Sequence, residues 1–129
     1  MKAGTIFLGA AALLAASPVV AHHSFAAFFD QNKIVKITGT VTEFQFTNPH
    51  GLIVLMVKGA DGKDQEWRVE TNAPVVLRRR GWSVESLKAG ETVTIEGWAS
   101  RDGKPYLRLR NASRADGTAI GIPFGQGDS

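Results

Sequence analysis

The chain contains no cysteine, so neither disulfides nor thiolate metal sites are open to it. Zinc-finger and blue-copper chemistry are thereby excluded. Histidine is scarce too: His22, His23 and His50 are the three imidazoles. Charge of one sign is equally lacking. Fifteen Lys and Arg against twelve Asp and Glu leave a formal +3, a weak attraction for anionic surfaces that decides no function. The carboxylates Asp30, Glu43, Glu66 and Glu70 show no spacing that separates acid–base catalysis from ordinary strand surface. Ser24 beside His23 is not a nucleophile motif, because a triad is recognised by geometry that adjacency does not supply. No catalytic residue is therefore expected. Long apolar runs are absent as well, since the stretch from Thr5 to Ala16 stops at Ser17-Pro18, short of the roughly 20 residues a spanning helix needs.

That stretch follows Lys2 and precedes Val19-Val20-Ala21, the pattern of a cleaved secretory signal peptide. The expectation is a signal over residues 1–21, a single domain over residues 22–129, a periplasmic location and no membrane span after processing. Cleavage after Ala21 makes His22 the first residue, whose α-amino nitrogen and ring Nδ1 can close a six-membered ring on one metal ion. Cleavage after Ala16 is the rival, and it leaves His22 internal.

His50 lies in Asn48-Pro49-His50-Gly51, where turn residues hold it. An amine and two imidazoles in a T-shaped plane suit Cu(II), with its tetragonal preference and high affinity for nitrogen. The expected metal ligands are thus His22 and His50, with His23 axial or serving a neighbouring molecule. The amine, with an ordinary pKa of about 7.7 to 8.0, gives up its proton readily to a metal near neutrality. Asp30, Glu43 or Glu70 would orient an imidazole from behind. Met56 reads as core packing rather than as a Cu(I) ligand.

Periodicity of two dominates the rest. Residues 34–46 place Val35, Ile37, Gly39 and Val41 on one face and Lys36, Thr38, Thr40 and Thr42 on the other, a half-buried strand broken by a glycine where a long strand coils or bulges. Leu52 to Val57 is a continuous apolar run, and Ala60-Asp61-Gly62-Lys63 is a hairpin turn. Glu66 to Glu70 then alternates with Trp67 and Val69 inward. Asn72 offers a helix cap, Pro74 a first helical turn and Gly81 a stop. Two further strands follow, Thr92 to Trp98 and Tyr106 to Asn111, the second with Tyr106, Arg108 and Arg110 on its exposed face. A turn at Ala115 to Thr118 and a mobile Gly-rich end from Gly121 complete the chain.

Three strands, one short helix and two strands is the element order of an all-β, OB-fold-like five-stranded barrel with its helix between strands three and four. A small open sandwich of the same order is the alternative.

The segments His22-His23-Ser24-Phe25, Thr47-Asn48-Pro49-His50, Trp67 with Glu70, Leu77-Arg78-Arg79-Arg80-Gly81-Trp82 and Leu87-Lys88-Ala89-Gly90-Glu91 carry a further signal. Together they resemble a family of short exported bacterial proteins, a domain of unknown function numbered sixty-one fifty-two. The resemblance implies export and one compact β-rich domain. It assigns no activity, so no residue role is carried over.

Two functional classes follow. One is copper binding or handling through the N-terminal histidine. The other is a metal-free module of the cell envelope that binds a small ligand or an unidentified envelope protein. OB barrels also bind nucleic acid, but export argues against it as a partner. Phe25, Phe28 and Phe29 are expected to anchor the mature terminus on the barrel, which would preorganise His22.

Overall fold

The computed structural model describes residues 25–128. Its strands are β1 (Phe29–Gln45), β2 (Leu52–Lys58), β3 (Asp64–Glu70), β4 (Thr92–Ser100) and β5 (Tyr106–Arg114), with a helix at Pro74–Arg79 between β3 and β4. They close in the order β1-β2-β3-β5-β4, with β3 and β5 parallel and the other pairs antiparallel. This is the OB-type barrel expected from the element order. A helical turn at residues 25–28 precedes β1. Among the described residues no helix is long and apolar enough to cross a membrane.

β1 serves both halves of the barrel. Its first part runs beside β4, from Phe29 opposite Ser100 to Thr40 opposite Thr92, and its last part beside β2, from Thr40 opposite Met56 to Gln45 opposite Leu52. Gly39 sits at this crossover, where a Cβ would lie 2.5 Å from the Met56 carbonyl oxygen and 2.8 Å from Val57 Cγ2. Close approach of two neighbouring strands, rather than a bulge, is what glycine permits there. The bulge comes later, between Val41 and Glu43, and shifts the inward set so that Phe44 joins the core. β1 also begins earlier than the alternation suggests, because the Phe29–Ser100 pairing draws in residues across an irregular step before Ile34.

The inward faces supply Val41, Ile53, Leu55, Val69, Val93, Ile95, Leu107 and Leu109, each at most 1% exposed. Burial of each such side chain contributes about 1.5–3 kcal/mol. The helix plugs one end of the barrel through Leu77. Asn72 is not its cap: the N-cap is Ala73, with Pro74 in the first turn as expected. The Asn72 side chain donates instead to the Asp128 carbonyl. Gly81, at φ +83°, ends the helix with Gly81 N–H on the Arg78 carbonyl and Trp82 N–H on the Leu77 carbonyl, a Schellman closure.

A second apolar layer lies outside the barrel. Trp98 and Arg108 are register partners, so they share the face opposite Leu107 and Leu109. Phe25 meets the Trp98 ring edge-on at 5.4 Å and the Phe29 ring at 5.7 Å, while Phe29 lies 5.6 Å from Tyr106. Of the three phenylalanines expected to anchor the terminus, Phe25 and Phe29 pack on the barrel and Phe28 is 66% exposed; the terminus itself lies outside the described residues. Arg108, expected on an exposed face, is 5% exposed. Its cover comes from segments far away in sequence.

The glycine-rich end is laid against the same layer. Phe124 is buried, its N–H bonded to the Arg110 carbonyl, and the Ile122 N–H to the Arg80 carbonyl. Arg80 also pairs with Asp128 at 2.7 Å and donates to the Pro123 carbonyl.

Candidate functional site

His50 stands at the end of the loop from β1 to β2, with its side chain about half exposed. Gly51 lets that loop close: a Cβ on it would lie 2.5 Å from Thr71 Oγ1 and 2.6 Å from the Gln45 carbonyl oxygen. The Thr71 N–H then reaches the Gly51 carbonyl at 2.9 Å. This stitches the loop to the end of β3 and brings His50 Nδ1 to 3.2 Å from the Thr71 carbonyl oxygen.

Behind the imidazole lies a polar cluster built by the parallel pairing of β3 and β5, in which Glu70 and Arg108 are register partners. Arg108 Nη1 donates to Glu70 Oε1 at 2.6 Å and to the Thr71 carbonyl at 3.0 Å. Tyr106 donates its hydroxyl to the other carboxylate oxygen, Oε2, at 2.7 Å. His50 Nδ1 is 3.1 Å from Arg108 Nη1 and 3.7 Å from Glu70 Oε1. Burial pulls the Arg108 guanidinium below its ordinary value, and the Glu70 carboxylate pulls it back. Such a buried cation persists only where it is paired and hydrogen-bonded.

Tyr106 is the one tyrosine of the chain. Burial, then the hydrogen bond to Glu70, pushes its phenol far above the ordinary range. The unfolded phenol ionises near pH 10. Below that pH both states keep the proton and the stabilisation is fully present; above it the unfolded chain gains by ionising while the folded one does not, so stability falls as pH rises. Phenolate absorbance of the native protein is expected to stay flat past about pH 10 and to rise only with unfolding. A rise centred on the ordinary value with the fold intact would contradict this environment.

Of the expected ligands, His50 is described, whereas His22 and His23 lie outside the described residues. Among the described residues no group of three or more His, Cys, Asp or Glu is placed to hold a metal ion. Of the carboxylates expected to orient an imidazole, Glu70 stands beside His50. Glu43 takes the Gln45 amide and Asp30 the Asn32 N–H. Phe25 lines a small cleft with Asn72, Trp98 and Arg108, and Arg108 touches His50. Sequence reasoning missed Tyr106 and Arg108 as parts of this cluster. Their two-residue spacing was visible, but only the pairing of β3 with β5 brings them to Glu70.

The outer face of β2 and β3, where OB barrels commonly hold oligonucleotides, has a different chemistry here. Ile53, Leu55 and Val69 point inward, which leaves Val54, Met56 and Lys58 of β2 opposite Arg68, Glu66 and Asp64 of β3. No aromatic ring stands in these positions, and the acidic and basic groups are mixed.

The solved structures similar to this chain include the mitochondrial single-stranded DNA binding protein Rim1 from S. cerevisiae, at 14% identity over 64% of this chain and 93% of that one, with a TM-score of 0.50. The N-terminal domain of the PriB protein from Thermoanaerobacter tencongensis is 17% identical over 65% of this chain and 97% of that one, with a TM-score of 0.46. At such identity the likeness to Rim1 shows the fold alone. No curated protein matches the chain. Residues 11–107 match DUF6152, described as a family of unknown function, and the chain belongs to that family.

Proposed function

We propose that this is an exported protein of the cell envelope that holds Cu(II) between its processed N-terminus and His50. The amine and Nδ1 of His22 would supply two nitrogens and the His50 ring a third, a donor set suited to a tetragonal ion. One observation carries the reading: Phe25 is seated on Trp98 in the cleft that it shares with Arg108, and Arg108 contacts His50. Three Cα–Cα steps lead from Phe25 back to His22, a reach of about 10 Å when extended. A seated Phe25 would shorten the search of the terminus for one imidazole and so reduce the ordering cost of closing the site.

The mixed charge and missing aromatics of the outer β2–β3 face argue against a nucleic-acid ligand, because strand-binding barrels combine a basic groove with stacking rings. The fold it shares with DNA-binding proteins is compatible with a different ligand.

Calorimetric titration with Cu(II) tests the proposal on the chain beginning at His22. One equivalent is expected to bind, and His50→Ala to weaken it. Phe25→Ala leaves all three ligands in place and removes only the seat, so a fall of about tenfold is expected from the lost effective concentration. No binding by the native chain would overturn the copper reading in favour of a metal-free binding module. Mass measurement of the exported protein, expected to begin at His22, checks the processing.

A further inference from the structure

The cluster behind His50 bears on which of its two ring nitrogens faces outward. Arg108 Nη1 carries two protons, and two oxygens are in position for them: Glu70 Oε1 at 2.6 Å and the Thr71 carbonyl at 3.0 Å. The 3.1 Å approach of this same nitrogen to His50 Nδ1 is therefore left without a proton of its own. Nδ1 in turn has the Thr71 carbonyl oxygen at 3.2 Å, an acceptor with a second lone pair available. Tyr106 fixes the carboxylate from its other oxygen, so Glu70 cannot swing away from Arg108 without breaking two short hydrogen bonds.

We propose that Glu70 is a positioning residue that selects the coordinating nitrogen of His50: by engaging Arg108 it leaves Nδ1–H to donate to the Thr71 carbonyl and offers the Nε2 lone pair to a cation. Without the carboxylate, an Arg108 proton turns to Nδ1, which becomes an acceptor, and the neutral ring carries its proton on Nε2. That tautomer presents a donor outward and repels a metal. A hydrogen bond from one ring nitrogen to a carbonyl is a general way of fixing the ligating nitrogen of histidine. The part-buried carboxylate, held through both its oxygens, is the feature that makes the selection depend on Glu70 rather than on the loop.

The inference rests on the copper reading only for the identity of the cation, because the tautomer exists without metal. The test is nitrogen-15 NMR of the metal-free chain beginning at His22, labelled at histidine and held at an alkaline pH where the rings are neutral, with His50 assigned by its absence in His50→Ala. The expected His50 signals are a protonated Nδ1 and an unprotonated Nε2. In Glu70→Gln, which keeps the shape and weakens the grip on Arg108, the Nε2–H form is expected to grow at the expense of the other, and Cu(II) affinity to fall by about tenfold. Glu70→Ala is expected to complete the change where it folds. An Nε2–H ring in the native chain, or a tautomer ratio unchanged in Glu70→Gln, overturns the proposal. Failure of the native chain to bind copper overturns the copper reading alone.

Discussion

Trp98→Ala is expected to lower the free energy of unfolding by about 3–5 kcal/mol, the range for deleting a buried aromatic side chain. The size of this effect is informative because Trp98 does not point into the barrel. Its register partner is Arg108, on the face opposite the interior leucines, and an outward tryptophan on a solvated sheet would cost little to remove. Trp98 is nonetheless 3% exposed, because Phe25 covers it from the N-terminal side and the segment carrying Phe124 closes the same cleft from the C-terminal side. Truncation opens a void beneath both segments and brings water to the Arg108–Glu70 pair. Urea unfolding of the two proteins measures the loss. A change below about 1 kcal/mol would place Trp98 among ordinary surface residues and would deny that the terminal segments form a second core.

The barrel was legible in the sequence because its strands alternate and its turns carry glycine. Val93 and Ile95 against Thr92 and Thr94, or Leu107 and Leu109 against their neighbours, name an inward face without any knowledge of partners. Gly39 marked the place where β1 changes neighbours, though its reason is the close approach of Met56 and Val57 rather than a bulge. The outer layer was only half legible. Alternation puts Arg108 outside, and it is outside, but periodicity holds no information on whether a distant segment will cover an outer face. The helix cap failed for a related reason. Asn72 has the side chain of a cap, and the structure uses that side chain on Asp128, a partner 56 residues away.

The site divides along the same line. His50 was picked out from its scarcity and its turn, both local properties. Glu70 was one of three carboxylates considered, and nothing local separates it from Glu43 or Asp30; the β3–β5 register does. Tyr106 and Arg108 read, with Arg110, as an exposed strand face, whereas the hydrogen bonds of Tyr106 and Arg108 are directed at Glu70. What the fold supplies is a rigid support for one loop imidazole.

Acetylation of the His22 α-amine is expected to lower Cu(II) affinity by about 100-fold or more. The acetyl group leaves every side chain in place and changes one atom that matters: the free amine becomes an amide nitrogen, and no other terminal amine remains to anchor a metal that could draw off its far more strongly held proton. The six-membered chelate opens, and the remaining imidazoles must bind without it. Stability should not move with affinity, since Phe25 keeps its seat on Trp98 in both proteins and acetylation alters none of the packed side chains. Titration of the two chains side by side, with thermal unfolding of each in the absence of metal, separates the terms. Equal affinity would mean that any copper bound is held elsewhere and would remove the amine from the site. A large fall in affinity at constant metal-free stability would instead tie copper binding to the bond cut by the signal peptidase, so that the protein becomes competent only after export.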